Sequence, residues 1–471
     1  MSELNFLSAC EMARRIRRRE ISPVELVNEH LARIKSLNPR LNAFIKVDIE
    51  GARRQARAAE EKLLSKGEIG PLHGVPISIK SSIEVAGMPY EAGTSLRESI
   101  IGQQDAPLVR RLRAAGAIIL GVTNTPELLM AWETDNLLYG RTNNPWDLSR
   151  TAGGSSGGEA AAIAAGLSAG GVGSDGGGSI RVPAHFCGIC GLKPTPGRIP
   201  STGHFPQSAG PFALLGVVGP MARTVADLKL LFEVMQGPDD GDPSAAPVPV
   251  RWPSREETKK ICIGYFEDDG RTPVTIETRD AIRTSVEALR SVGFRVETFR
   301  PEGLEQARQI WWAFFGIAGG MLLRPMLSGR EGELSPTLRQ FCEWVAGEPP
   351  HTADTLLDAW MKRDLLRMKI FGQMQKFPIL LCPVASVPAF KHGEREWNVE
   401  GQRVKYLDAW SYCEWFNLLG MPAAVVPVSH SAGGLPIGVQ IAGRPWEEET
   451  VLEVADILER ECGRRMMPAV G

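Results

Sequence analysis

Gly153-Gly-Ser-Ser-Gly-Gly158 and, after an alanine-rich run, Gly173-Ser-Asp-Gly-Gly-Gly-Ser-Ile-Arg181 form the most unusual stretch of this chain. Two serines, Ser155 and Ser179, each stand among glycines. Glycine tolerates positive φ and lets backbone approach closely, so such a loop can aim several N–H groups at one point. A serine among converging amides suits acyl transfer, in which a developing oxyanion needs donors about 3 Å away. A glycine loop with a purely structural role explains the same residues equally well. Nucleotide binding explains them less well. Gly171-Val-Gly-Ser-Asp-Gly176 matches GxGxxG, but no long β-branched strand leads into it and no acidic residue lies about 20 positions on. A phosphate loop would need Gly-Lys-Ser/Thr, which is missing.

A nucleophilic serine needs a base. The chain has 7 histidines, and none accompanies a nucleophile elbow. Lysine is the other candidate, provided burial lowers its pKa from about 10.4. Val75-Pro-Ile-Ser-Ile-Lys80 reads as a short buried strand, which makes Lys80 the best-placed amine.

Around this stretch, helix and strand patterns alternate. Ser22-Pro-Val-Glu25 has the form of a capping box with proline at the first helical position, and Val24, Val27, Leu31 and Ile34 follow as one apolar face. A second helix is expected over 51–65, and Asp105 is the expected cap of another that stops near Gly116. Strand-like runs follow at 118–122, 294–299, 379–381, 423–428 and 437–441, with helices over 276–291 and 447–461. The pattern predicts an α/β protein with a large, mixed, mostly parallel twisted sheet covered by helices on both faces. We expect one domain over 1–471, an N-terminal helical segment (1–70) packed on it and a proline-rich loop at 237–253.

Composition excludes several classes. Lys+Arg is 53 and Asp+Glu 55, a net charge of −2, with no domain-sized basic face for nucleic acid. The arginines at 14, 15, 17, 18 and 19 read as a solvated helix face. The 8 cysteines are spread along the chain and the N-terminus does not read as a signal peptide, which favours reduced thiols and a cytoplasmic location. Cys187-Gly-Ile-Cys190 has no second ligand pair at metal spacing, so neither metal nor cofactor is expected. The apolar stretch Ile310 to Leu323 is shorter than the roughly 20 apolar residues of a membrane span, so none is expected.

Taken together, Gly153–Gly158, Gly173–Pro183, Phe186-Cys-Gly-Ile-Cys-Gly-Leu-Lys-Pro194 and Gly74-Val-Pro-Ile-Ser-Ile-Lys80 resemble the amidase signature family. Gly420–Pro427 and Gly434–Pro445 are similar to that family's C-terminal strands, and the resemblance runs from about Phe6 to Glu461. It implies the amidase signature fold, with Ser179 as nucleophile, Ser155 as bridging serine after a cis peptide, and Lys80 as base. It also implies an oxyanion hole built from the amides of Gly176, Gly177, Gly178 and Ser179. Glycine at 176 and Ser81 after the lysine depart from the commoner threonine and aspartate. Asp175 and Arg181 read as a structural ion pair.

Within the family, Gly157-Gly-Glu159 and Phe186–Cys190 look most like the fatty-acid-amide-hydrolase branch, which implies an acyl pocket at Leu129, Met130 and Trp132. Trp311, Trp312, Phe314 and Phe315 could lie over its entrance, although a core helix is the preferred reading. The implied reaction is hydrolysis of a hydrophobic acyl or aryl amide, with carbamate or ester cleavage by the same serine as the alternative. Small-molecule substrate is the expected partner, and a homodimer is an open expectation. A tRNA-dependent amidotransferase subunit is less favoured, because Val182 stands where glutamine is usual and Phe212–Val218 replaces a Ser-Leu-Asp-type segment. A non-catalytic binding protein is disfavoured by the intact Lys80, Ser155 and Ser179.

Overall fold

In the computed structural model the described residues are 3–349, 351–463, 467, 468 and 470; the rest of the expected 1–471 unit, including residues 1 and 2 of its helical segment, lies outside them. The helix after Ser22 runs Pro23–Leu41. Ser22 caps it by accepting from the amides of Val24 and Glu25. The reciprocal bond from the Ser22 amide to the Glu25 side chain is not made, so the box is not closed, and the Ser22 hydroxyl donates to Glu60 of the next helix, Ile49–Leu64. Asp105 is not a cap. The helix Pro107–Ala114 starts after Ala106, and Asp105 instead accepts from the Ala86 amide at 3.0 Å and from Arg113 at 2.8 Å.

Eleven strands form one sheet: β1 (Phe44–Val47), β2 (Pro76–Lys80), β3 (Ile118–Thr123), β4 (Gly170–Asp175), β5 (Cys190–Lys193), β6 (Val217–Ala222), β7 (Cys262–Tyr265), β8 (Arg295–Thr298), β9 (Ile379–Pro383), β10 (Ala423–His430) and β11 (Pro436–Gly443). Their spatial order is β1-β3-β2-β4-β6-β5-β10-β11-β9-β7-β8. The sheet is mixed, as expected, but mostly antiparallel. Parallel pairing joins β2 to β3 and β4, and β7 to β8 and β9. The remaining ladders are antiparallel. Two causes account for the difference. The strand β4 is too rich in glycine to read as an apolar strand and β6 is interrupted by Gly219-Pro220, while β10 and β11 are joined by a short turn, which forces antiparallel pairing.

Strand side chains alternate between two hydrophobic layers. Leu380 and Cys382 face one, while Ile379 and Leu381 face the other. A sheet covered on both faces makes such strands apolar throughout, each buried branched side chain contributing about 1.5–3 kcal/mol. Residues 237–253 carry neither helix nor strand.

Leu304–Leu327 is one continuous helical run of 24 residues, with a mean hydropathy of 1.3 over its most apolar window. Its length and composition would allow it to cross a membrane, unlike the shorter stretch read from sequence. Yet 56% of that window is buried in the fold, and Trp311 and Phe314 are sealed inside, so it packs as a core helix. Its central turn, Ala313–Ala318, is a π-helix. Such bulges shift side-chain phase and recur at functional sites.

Candidate active site

Parallel strands β2 and β4 pair side by side, Ser78 with Gly171 and Ile79 with Val172, so their C-terminal ends meet at one edge. One end carries Lys80 and the other Ser174 and Asp175. The Lys80 amine is fully buried and lies within hydrogen-bond distance of three hydroxyls: Ser155 Oγ at 2.7 Å, Ser156 Oγ at 3.0 Å and Ser174 Oγ at 3.0 Å. Burial pushes its pKa well below the ordinary lysine value, against the opposing pull of Asp175 and Glu159. Uncharged partners suit a neutral amine. Glu159 lies beneath, accepting from Ser78 and Thr123; burial raises it to about 7 despite those bonds.

The Gly154–Ser155 peptide is cis, as the resemblance implies. A side chain at Gly154 would strike the Glu133 backbone at 2.5 Å, so only glycine fits there. The Ser155 carbonyl accepts from Thr125 at 2.9 Å, and Ser156 Oγ ties back to the Ser174 backbone. Ser156 and Ser174 are the site residues that sequence reasoning missed. Their role depends on the β2–β4 register, which no local pattern encodes.

Between β4 and the helix Arg181–Cys187 runs the glycine loop that carries Ser179. Asp175 anchors it from inside. Its carboxylate accepts from the amides of Gly178 (2.8 Å) and Ile180 (3.0 Å) and from Arg181 through Nε (3.1 Å) and a terminal nitrogen (3.0 Å). Both ion-pair partners are fully buried. Burial opposes the Asp175 charge, but Arg181 outweighs it and holds the carboxyl well below the usual range. This pair has the structural role read from sequence.

The four amides expected to form the oxyanion hole are not equivalent. Gly178 spends its N–H on Asp175, which corrects the four-amide expectation. The amides of Gly176, Gly177 and Ser179 have no protein acceptor among the described residues.

Ser155 and Ser179 line one small cavity of about 30 Å³, walled by Leu128, Leu129, Met130, Phe212, Val217 and Phe315. Apart from the serines, its polar lining is Asp175 and His204. Burial, with Lys80 nearby, pushes the His204 imidazole down to about 4, so it is neutral at pH 7. Leu129 and Met130 therefore stand where sequence reading put them. Trp132 does not. It is 4% exposed, packs behind the loop against Trp410 and donates Nε1–H to the Gly177 carbonyl at 2.9 Å. Phe315 reaches the cavity while Trp311 stays in the core, so the aromatic segment serves both roles considered for it. Beyond Phe341, which meets Phe315 edge to face, a separate groove of about 760 Å³ opens between the 319–327 and 336–346 helices; neither serine lines it. Ser155 and Ser174, both bonded to Lys80, line the small cavity together with Ser179.

Among the described residues the thiols of Cys187 and Cys190 are buried and donate to different acceptors, Ala152 O and Glu459, as packed cysteines do.

Known proteins share this sequence and fold over most of the chain. The family model described as amidase matches residues 25–452. The chain is 35% identical to an indoleacetamide hydrolase of Bradyrhizobium diazoefficiens, over 97% of this chain and 86% of the relative. It is 33% identical to the A-type subunit of the glutamyl-tRNA(Gln) amidotransferase from Roseiflexus sp., over 98% and 97% of the two chains. Among solved structures, a fatty acid amide hydrolase superposes with a TM-score of 0.88 at 27% identity, covering 98% of this chain and 86% of that one. The fold, the buried lysine–serine cluster and these similarities together identify the chain as a member of the amidase signature family, a hydrolase acting on amides.

Proposed function

We propose that this protein hydrolyses the C–N bond of a hydrophobic acyl or aryl amide through an acyl-Ser179 intermediate. The observation that carries the reading is the buried Lys80 amine 2.7 Å from Ser155 Oγ, with Ser155 and Ser179 lining one cavity. Lys80 takes the Ser155 proton, Ser155 takes the Ser179 proton, and Ser179 Oγ bonds to the carbonyl carbon. The free amides of Gly176, Gly177 and Ser179 receive the oxyanion. As the tetrahedral adduct collapses, the proton returns through Ser155 to the leaving nitrogen and the C–N bond breaks. Water then cleaves the ester by the same relay, releasing the acid.

Substrate class is argued from the wall. Leu128, Leu129, Met130, Phe212, Val217 and Phe315 offer carbon surface, and Asp175 is already committed to Arg181. The names of the indoleacetamide and fatty-acid-amide relatives point the same way. The test is an anilide series from acetyl to decanoyl with one matched carbamate, combined with fluorophosphonate labelling. We expect kcat/KM to rise with acyl length and the label to reside on the peptide bearing Ser179. Turnover of the carbamate alone would move the assignment to urethane hydrolysis. Label on any other residue would end the reading.

A further inference from the structure

The peptides of the glycine loop are individually pinned, and the pins fall on their carbonyls. In a planar trans peptide the C=O and the N–H of the next residue point in opposite directions. Anchoring the carbonyl therefore aims the amide. The Asp175 carbonyl is held by Asn417 Nδ2 at 3.1 Å, the Gly178 carbonyl by the Val182 amide at 2.7 Å, and the Gly176 carbonyl by Trp311 Nε1 at 2.9 Å. Across those peptides lie the amides of Gly176, Ser179 and Gly177, the three that have no protein acceptor among the described residues. The Gly177 carbonyl is held in the same way by Trp132 Nε1, but across that peptide the Gly178 N–H goes to Asp175.

We propose that Trp311 is a positioning residue of the oxyanion hole: its indole N–H fixes the Gly176–Gly177 peptide so that the Gly177 amide faces the carbonyl oxygen of the substrate. The contact is close. A Cβ on Gly177 would lie 2.5 Å from Trp311 Cζ2, so glycine at 177 is what lets the indole seat on the loop. Trp311 also stacks on Phe315 with centroids 4.5 Å apart, and Phe315 lines the cavity. The ring that meets the acyl group thus rests on the ring that aims the amide. An apolar acyl group packed on Phe315 holds both in place, which makes Trp311 a sensor of acyl fit as well as a clamp. The assignment rests on the reading of Ser179 as nucleophile.

The test compares Trp311→Phe with Trp132→Phe in the full chain, using the anilide substrates. A misaimed oxyanion donor costs about 10- to 100-fold in kcat, less than the roughly 10²–10³ of a donor removed outright. We expect that loss for Trp311→Phe with KM within about twofold, and an equal loss in affinity for a trifluoromethyl ketone bearing the same acyl chain. Trp132→Phe breaks the same kind of bond one peptide along and should cost less than about threefold, because the amide it aims is not in the hole. To separate aim from packing, Trp311 is also replaced by benzothienylalanine, which keeps the ring shape and lacks the N–H; the same kcat loss is expected. Unchanged kcat in that variant overturns the proposal, and so does an equal loss in Trp132→Phe. If Ser179→Ala retains turnover, the nucleophile reading has failed instead.

Discussion

Lys80→Met is expected to lower kcat/KM by about four to six orders of magnitude and to leave the folded structure intact. Members of one proton relay fail together, so Ser179→Ala and the double variant should reach the same floor as Lys80→Met rather than multiply. The floor is set by what remains, binding and the oxyanion amides. Methionine fills the volume of the lysine stem, and the hydroxyls of Ser155, Ser156 and Ser174 can bond to one another once the amine is gone. A native circular dichroism spectrum would show that activity was not lost through unfolding. The wild-type pH profile is the companion measurement. Lys80 works as the free amine, so kcat/KM is full above its folded pKa and falls as pH drops through it. Burial places that pKa well below the ordinary value of about 10.4, so the acid limb must lie below that value. A limb that stays near 10.4, or a double variant far below either single one, would remove Lys80 from the relay.

Asp175→Ala should produce the largest loss of stability, about 3–5 kcal/mol, because it strands the Arg181 guanidinium in a fully buried site. The carboxylate also receives the amides of Gly178 and Ile180 and the Asn417 side chain, so its removal releases the glycine loop as well. Urea titration measures the first effect and anilide turnover the second. Replacing the pair together, Asp175→Leu with Arg181→Met, should recover part of the stability, since no bare charge remains. It should not recover activity, because the loop amides still lack their acceptor. A double variant no more stable than Asp175→Ala would show that the stranded charge is not what destabilises the fold.

What the sequence disclosed follows from how far each signal reaches along the chain. Lys80, Ser155 and Ser179 stand in contiguous motifs, and Leu129 and Met130 follow from position within the family resemblance; the last four line one cavity, and Lys80 bonds to Ser155 behind it. Trp132 is three residues from Leu129 yet turns the other way, into the aromatic layer around Trp410 and Tyr406. A glycine in sequence says nothing about where its N–H points; Asp175, three residues earlier, takes the Gly178 amide out of the expected set of donors. Sheet direction escapes a local reading for a similar reason. Alternating helix and strand suggests crossovers, but β4 pairs antiparallel to β6, and β6 to β5, through partners set by the whole fold. Trp311 was the hardest to read, since only a contact with Gly176, far along the chain, distinguishes it from any core indole.

The resting cavity beside Ser179, about 30 Å³, has room for roughly one or two waters, and an acyl anilide is many times larger. Substrate entry therefore requires the wall side chains to move aside, and an on-rate below the roughly 10⁵–10⁷ M⁻¹s⁻¹ of open binding surfaces is the expected result in stopped-flow binding of a trifluoromethyl ketone. An on-rate within that range would show that the acyl group enters without rearrangement.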